Sequence, residues 1–358
     1  MIGLRAIRAS PIRRRLVLAT LGLVACAPAT TAPAPARIAR TEQVSGTTAL
    51  LIAVSPVNER VVWASGTQGT WLLTVDGGAN WQAGRVPGAD SLQFRDVHAI
   101  DERTAWLLSI GSGDQSRIYR TRDGGASWEL LFTNRDPKAF LDCMGFWSAT
   151  QAIVVSDAVD GRVVVLGTHD GTRWERLPPD VLPAAPDGEG SFAASGTCLV
   201  TRPGGHAWIA AADSLRSRVL RTSDFGATWR SDSLPLTTRA GSGVQSVAFR
   251  DAKNGLAPGC GTTAKLGDVN VAITADGGRS WAPGGRVPLA SGVWGGVPVP
   301  DAASTYVAVG PSGAAWTHDA GRTWAPLDSV NYWSVGFASR NAGWAVGQRG
   351  RITKFAGF

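Results

Sequence analysis

TVDGGANW, at residues 74–81, is the stretch that decides the fold, because five further versions of it follow along the chain. They are TRDGGASW (121–128), THDGTRW (168–174), TSDFGATW (222–229), TADGGRSW (274–281) and THDAGRTW (317–324). Successive copies begin 43–54 residues apart. A period of this length is typical of folds built from similar units packed side by side.

The chemistry of the phrase indicates a tight turn between two strands. An Asp side chain can accept backbone N–H groups within its own turn, and Gly adopts positive φ without a Cβ clash. The Trp is expected to begin the next strand and to bury its ring between neighbouring units. We therefore interpret the six aspartates as structural residues rather than catalysts: Asp76, Asp123, Asp170, Asp224, Asp276 and Asp319.

A second phrase precedes each turn and occurs seven times, once more than the turn itself. Its copies are VVWASG (61–66), AWLLSI (105–110), AIVVSD (152–157), AWIAAA (207–212), GLAPGC (255–260), YVAVGP (306–311) and GWAVGQ (343–348). The seventh unit thus lacks a fourth strand, which a segment from the N-terminus can supply. The sequence predicts an all-β, seven-bladed β-propeller whose ring is closed by a strand within residues 41–49.

These motifs resemble known propeller families. The turn phrase resembles the Asp-box, or bacterial neuraminidase repeat, and GWAVGQRGRI (343–352) is similar to the photosystem II stability/assembly factor family. FLDCMGFWS (140–148) and GEGSFAASGTCLV (188–200) resemble a bacterial branch of that family, loosely labelled as oxidoreductases or glycosyl hydrolases. The resemblance covers residues 41–358 and implies a protein-binding assembly factor. GLAPGCGTT (255–263) departs from the branch, which has an acid and a Tyr there.

The N-terminal sequence is typical of an export signal. Residues 1–25 combine a basic start with a short apolar run, and Leu23-Val24-Ala25-Cys26 resembles a bacterial lipobox. We expect a lipoprotein signal peptide at 1–25, lipid attachment at Cys26, an Ala/Pro/Thr-rich tether at 26–40 and the propeller at 41–358. The protein would then lie in the bacterial cell envelope, facing the periplasm or the exterior. An ordinary secretory signal and a twin-arginine signal at 13–15 remain alternatives.

The charge of the chain does not indicate a nucleic-acid partner. Removing the five arginines of residues 1–25, which contain no acid, lowers the net charge from +7 to +2. No cluster of Lys and Arg with interleaved aromatics remains. The four His are scattered, and neither CxxC nor HxxxH occurs, so no metal is predicted. No glycine-rich loop joins a strand to a helix, so no cofactor is predicted.

Acids outside the turns supply the candidates for catalysis. A sialidase needs an arginine triad and a Tyr–Glu pair, but the family's Arg-Ile-Pro signature is absent and the chain has three Tyr. Another glycosidase would need two carboxylates about 5–10 Å apart at the channel mouth. Candidates are Asp142, Asp157, Asp160, Asp187 and Glu189, the last within a long insertion at 178–196. Insertions of this kind often carry binding sites.

Two cysteines occupy equivalent positions in neighbouring units. Aligning AIVV (152–155) with AWIA (207–210), an offset of 55, places Cys143 on Cys198. An exported protein could oxidise this pair, although adjacent inner strands could also lie too far apart for a disulfide. Cys260 would remain as a buried thiol.

The sequence as a whole favours a membrane-anchored, extracytoplasmic propeller that binds a membrane protein or a membrane complex under assembly. The candidate binding residues lie on the insertion and at the starts of inner strands: Asp142, Glu189, Ser191, Ser195 and Arg202. The alternative is a carbohydrate-active hydrolase that acts on a glycan with the acids near 178–196. We lean toward the binding protein because no catalytic constellation is evident.

Overall fold

Seven four-stranded sheets account for the regular structure in the part of the chain that this computed structural model describes, residues 38–186, 188–259 and 267–358. The first strand, β1 (Ala39–Gln43), belongs to the seventh sheet. Blade one contains β2 (Leu51–Pro56), β3 (Val62–Gly66), β4 (Thr70–Thr74) and β5 (Gln82–Arg85). Blade two contains β6 (Phe94–Ala99), β7 (Ala105–Ser109), β8 (Arg117–Thr121) and β9 (Glu129–Thr133). Blade three contains β10 (Leu141–Phe146), β11 (Ala152–Val159), β12 (Arg162–Thr168) and β13 (Glu175–Arg176).

The remaining blades follow the same order. Blade four contains β14 (Leu199–Arg202), β15 (His206–Ala212), β16 (Ser217–Ser223) and β17 (Arg230–Ser233). Blade five contains β18 (Ala248–Phe249), β19 (Gly255–Pro258), β20 (Val271–Thr274) and β21 (Ala282–Pro283). Blade six contains β22 (Gly295–Pro298), β23 (Tyr306–Gly310), β24 (Gly313–Thr317) and β25 (Ala325–Asp328), and blade seven adds β26 (Ser334–Ser339), β27 (Ala342–Val346) and β28 (Ile352–Ala356). Short 3₁₀ helices lie at Gly113–Gln115, Pro179–Val181 and Gln348–Gly350.

The blades form a closed ring. The inner strands of successive blades contact one another in sequence order, and the first, β2, contacts the last, β26. Buried apolar residues form clusters between neighbouring blades, such as the one that joins Trp63 of blade one to Phe94 of blade two. The fold is a seven-bladed β-propeller around a central channel, and the predicted fold class is confirmed.

The outermost strand of blade seven comes from the other end of the chain. β1 pairs antiparallel with β28, with Ala39 opposite Ala356 and Gln43 opposite Ile352. Trp81 of blade one donates its indole N–H to the Gln43 side chain over 3.1 Å. β1 therefore also contacts blade one, and this strand begins within the predicted tether rather than at residue 41.

Five of the six turn phrases make the same set of hydrogen bonds; in the third, which lacks one residue, Asp170 accepts the Thr168 hydroxyl and two backbone N–H groups but no bond from a following side chain. In the first copy the Thr74 hydroxyl donates to Asp76 over 2.8 Å and accepts the Gly78 N–H over 2.9 Å. The Asp76 carboxylate accepts the Asn80 backbone N–H at 2.9 Å and its side-chain amide at 2.8 Å. The Asn80 backbone N–H, followed by these side-chain donors, lowers the pKa of Asp76 to about 2. The Asp76 carboxylate therefore accepts its hydrogen bonds from groups of its own turn.

The second glycine of the turn phrase lies against the preceding blade. A Cβ on Gly125, in blade two, would come within 2.4 Å of the Trp71 ring of blade one. A Cβ on Gly78 would meet the Gln43 side chain at 2.1 Å, and one on Gly321 would meet Leu256 of blade five at 2.9 Å. The absent side chain thus lets adjacent blades approach closely.

Tryptophans complete these contacts between blades. Trp106 on β7 is buried and donates its indole N–H to Gly171 O in the turn of blade three, over 3.4 Å. Trp208 on β15 donates in the same way to Gly277 O in the turn of blade five, over 2.9 Å. Each turn-phrase Trp directly precedes an outer strand, but Trp174 and Trp229 are buried whereas the other four are only partly buried. The second-strand tryptophans therefore provide the deeper contact.

Replacing Gly125 by Ala tests the close approach between blades. Gly125 and Gly88 both have positive φ, +87° and +71°, but a Cβ on Gly88 would meet nothing within 4 Å. Both substitutions carry backbone strain, and only Gly125→Ala also forces a methyl group into Trp71. We expect Gly125→Ala to lower the free energy of unfolding by about 1–3 kcal/mol more than Gly88→Ala, measured by urea titration. Equal losses would contradict this packing.

Candidate functional site

Residues 188–197, the end of the insertion before blade four, cross the central channel and are called here the plug segment. Arg95 of blade two donates to Ala193 O over 3.1 Å. The Ser195 hydroxyl donates to Trp294 O, just before blade six, over 2.7 Å, and Ser334 of blade seven donates to Ser195 O over 2.8 Å. These partners lie where the inner strands begin. The plug segment therefore occupies the channel at that end.

Glu189 fixes the start of the plug segment. Its carboxylate is 1% exposed and accepts two bonds from Arg218 on β16, one of them from Nε to Oε1 over 2.6 Å. Such a bidentate pair satisfies the buried charge. Glu189 was predicted as a binding or catalytic residue, and the structure places its side chain in an internal ion pair.

Asp142 and Asp157 form a carboxyl pair beside the plug segment. Asp142, 1% exposed, lies at a bulge of β10, and its carboxyl shares a hydrogen bond with Asp157 on β11. Burial, and then the nearby Asp157 charge, raise the pKa of Asp142 well above its usual value. Burial also raises the pKa of Asp157 to about 6, although its Oδ1 accepts the Ser191 N–H over 3.1 Å.

This pair does not have the arrangement of a glycosidase. The two carboxyls are in direct contact, and one is buried, whereas glycoside hydrolysis needs carboxyls about 5–10 Å apart that both reach the substrate. Of the other candidates, Asp160 is exposed and paired with Lys138 over 2.8 Å, and Asp187 lies outside the described residues. The acids near 178–196 support the plug segment instead.

The two predicted serines bind the backbone, and Arg202 lies elsewhere. Ser191 donates to Ala210 O over 2.8 Å, and Ser195 makes the contacts across the channel described above. Arg202 is the last residue of β14 and therefore lies toward the opposite end of the channel. The five predicted binding residues thus divide between the plug segment and the far end of an inner strand.

A disulfide joins the plug segment to blade three. Cys198 follows the segment directly and bonds to Cys143 on β10, with 6.0 Å between the two Cα atoms. The inner strands are close enough here because both cysteines lie at equivalent positions of adjacent blades, as their offset of 55 residues predicted. Cys260 lies outside the described residues.

A cavity of about 490 Å³ occupies the channel beyond the plug segment. Ser195–Thr197 form its closed end, and the later residues of the inner strands form its wall. All seven blades contribute, in order with Pro56, His98, Phe146, Arg202, Ala248, Pro298 and Phe337. These residues lie in the later parts of the inner strands, so the cavity opens on the face that also carries the turn phrases.

Burial shifts the two titratable groups of the wall other than Arg202, Asp96 and His98, toward their neutral forms. Asp96 accepts the Met144 N–H over 2.8 Å, and burial raises its pKa well above the usual value. The His98 ring stacks on Phe146 with 4.2 Å between centroids, and burial lowers the pKa of His98 to about 4. Sequence analysis did not single out either residue. Their i, i+2 spacing on β6 was the available signal, because it puts both on one face of a strand.

Metal sites and membrane spans were searched within the described ranges. In residues 38–186, 188–259 and 267–358 no three His, Cys, Asp or Glu side chains cluster closely enough to hold a metal ion. In the same ranges no helix is long and apolar enough to cross a membrane.

Solved structures share this fold. YCF48 from Cyanidioschyzon merolae superposes with a TM-score of 0.65 at 16% identity, over 89% of this chain and 99% of that chain. A structure of YCF48 bound to D1 peptide gives 0.62 at 16% identity, over 90% and 99%. The chain has the fold of YCF48. The WD40 β-propeller domain of Doa1 gives 0.58 at 14% identity, over 89% and 97%. No family model matches the chain, and no curated protein matches it.

Breaking the ion pair of the plug segment should destabilise the fold. Glu189→Gln leaves the Arg218 charge, only 11% exposed, without its counter-ion. We expect the free energy of unfolding to fall by about 3 kcal/mol in urea titration. The matched control is Asp160→Asn, which removes an acid from an exposed pair and should leave stability close to wild type. An equally small effect of Glu189→Gln would contradict the structural role of Glu189.

Proposed function

We propose that this protein is a protein-binding propeller that acts as an assembly or stability factor for a membrane protein, and that it holds a segment of that partner at the open end of the cavity. The main support is that the plug segment fills one end of the channel and leaves a cavity of about 490 Å³ open at the other. Concave sites with a few polar groups are where proteins usually bind ligands. YCF48, which has the same fold, has been solved bound to D1 peptide.

The face around the open end suits a protein partner. Each turn phrase on it is held by its own hydrogen bonds, so the face needs little ordering on binding. It also exposes apolar side chains: Ile100 follows β6, and Val75 and Phe225 lie within turn phrases. The turn phrases, which seemed remote from function in the sequence, thus surround the proposed binding site.

The hydrolase alternative is not favoured. Asp142 is buried against Asp157, and the Glu189 carboxylate is held by Arg218. Neither acid is available to protonate or attack a sugar. The one acid among the described residues of the cavity wall is Asp96, which is buried and has no second carboxyl beside it in that wall. We therefore propose binding without catalysis.

We further propose that the protein is lipid-anchored at Cys26 and lies in the cell envelope, facing the periplasm or the exterior. Residues 1–37, which hold the predicted signal and most of the tether, lie outside the described residues. The lipobox-like end of the signal supports the proposal. The Cys143–Cys198 disulfide also supports it, because disulfides persist in exported proteins. We assign the turns to the Asp-box type and the chain to the bacterial branch on their motifs.

Affinity purification from solubilised membranes, with the full chain as bait, tests the proposed function. Ile100→Glu places a charge on an apolar residue, 38% exposed, beside the open end of the cavity. Leu215→Glu makes the same change at a residue 84% exposed in the β15–β16 turn, on the opposite face. We expect wild type and Leu215→Glu to retain the same membrane protein and Ile100→Glu to retain several-fold less.

Two results would contradict the proposal. One is that wild type retains no membrane protein above an unrelated propeller used as a control. The other is that Leu215→Glu, rather than Ile100→Glu, loses the partner. Release of sugar from a glycan by the wild-type protein would instead support the hydrolase alternative.

A further inference from the structure

Arg202 is a half-buried cation without a protein counter-ion. It ends β14 and lines the cavity, and its side chain makes one hydrogen bond, from Nη1 to the carbonyl of its own neighbour Thr201 over 3.0 Å. Among the described residues, no carboxylate oxygen lies within 4.0 Å of its guanidinium. Charged side chains that lose water contacts in proteins are normally paired, so this arrangement lacks a partner.

The acid whose charge acts on Arg202 is bound by other groups. Asp251, at the edge of blade five, binds Arg250 Nε over 3.1 Å and accepts the backbone N–H groups of Lys253 and Asn254, each over 2.7 Å. Burial lowers the pKa of Arg202, and the charges of Tyr306 and Asp251 raise it only in part. Arg202 therefore loses water contacts without a carboxylate at contact distance among the described residues.

Arg202 is the one Arg or Lys among the described wall residues. Burial lowers the pKa of His98 to about 4 and raises the pKa of Asp96 well above its usual value, so both shifts favour the neutral form. The rest of the wall combines apolar residues such as Pro298 and Phe337 with the small hydroxyl side chains of Ser and Thr. A single fixed cation in such a wall favours a singly charged planar anion. Guanidinium matches a carboxylate with two parallel N–H···O bonds.

We propose that Arg202 binds a carboxylate of the partner's peptide, either an acidic side chain or the C-terminus, inserted into the cavity. This deepens the proposed function, on which it rests, by naming the chemical group that the site recognises. The cavity is closed by Ser195–Thr197, so it admits a chain end or a side chain rather than a strand that passes through. The apolar wall would contact an aliphatic residue next to the carboxylate.

Short labelled peptides test this without the natural partner. The detergent-solubilised full chain is titrated with fluorescein-Gly-Ser-Gly-Gln-Leu amide, with the same peptide carrying a free C-terminal carboxylate, and with the amide carrying Glu in place of Gln. Fluorescence anisotropy gives each dissociation constant. Inorganic phosphate is added as a competitor in a fourth arm. The two acidic peptides distinguish a C-terminal carboxylate from a side-chain carboxylate.

Wild type should bind at least one acidic peptide about tenfold or more tightly than the neutral amide, as expected for charge-assisted hydrogen bonds. Arg202→Gln should abolish this discrimination, and Arg202→Lys should retain part of it, since it keeps the charge but loses the planar fork. Arg135→Gln is the matched control, because Arg135 is an exposed arginine between β9 and β10, on the face opposite the open end of the cavity. It should bind all peptides as wild type does.

Each other outcome overturns the proposal. These outcomes are equal binding of acidic and neutral peptides by wild type, discrimination that survives in Arg202→Gln, and no binding of any peptide. Displacement of the acidic peptide by phosphate at equal affinity would overturn the assignment to a carboxylate. If thermal unfolding shows that Arg202→Gln is not folded, the proposal is tested with Arg202→Lys alone. That variant should discriminate less than wild type between acidic and neutral peptides. A partner captured equally by wild type and Arg202→Gln would leave the proposed function standing and refute this site.

Discussion

The structure depends on the contact between the second glycine of a turn phrase and the blade before it. At Gly125 a Cβ would lie within 2.4 Å of the Trp71 ring, and at Gly321 within 2.9 Å of Leu256, so these pairs of blades approach closely because no side chain is present. The aspartate and threonine of the phrase hold the glycine in place through hydrogen bonds inside the turn. The repeated acid is therefore part of the packing between blades, and catalysis at these positions would compete with that role.

The ring leaves a channel, and the insertion before blade four determines how much of the channel is available. The plug segment bonds to blades two, six and seven, and the Glu189–Arg218 pair and the Cys143–Cys198 disulfide hold its two ends. The predicted candidates Glu189, Ser191 and Ser195 make their hydrogen bonds in holding this segment in place. What remains accessible is the cavity on the turn-phrase face, where Arg202 has no carboxylate within 4.0 Å among the described residues.

The fold could be predicted because the number of repeats gives the number of blades. The missing seventh turn phrase indicates that an N-terminal strand completes the last blade. The same alignment placed Cys143 opposite Cys198. The path of the plug segment has no repeat to reveal it, so Glu189 and Ser195 were interpreted as binding residues, although the structure buries both. Arg202 was a candidate by position alone. Its significance depends on the absence of a nearby carboxylate. The surroundings of Arg202 are formed by residues distant in the sequence, so only the three-dimensional structure shows this absence.

We infer that the partner binds the open end of the cavity and that the plug segment is structural. Hydrogen–deuterium exchange of the full chain, with and without the partner retained in affinity purification, measures both. We expect slowed exchange in the loops at 57–61, 100–104, 250–254 and 299–305, which surround the open end, and unchanged exchange in residues 188–197. Slowed exchange confined to residues 188–197 and the β15–β16 turn would contradict it.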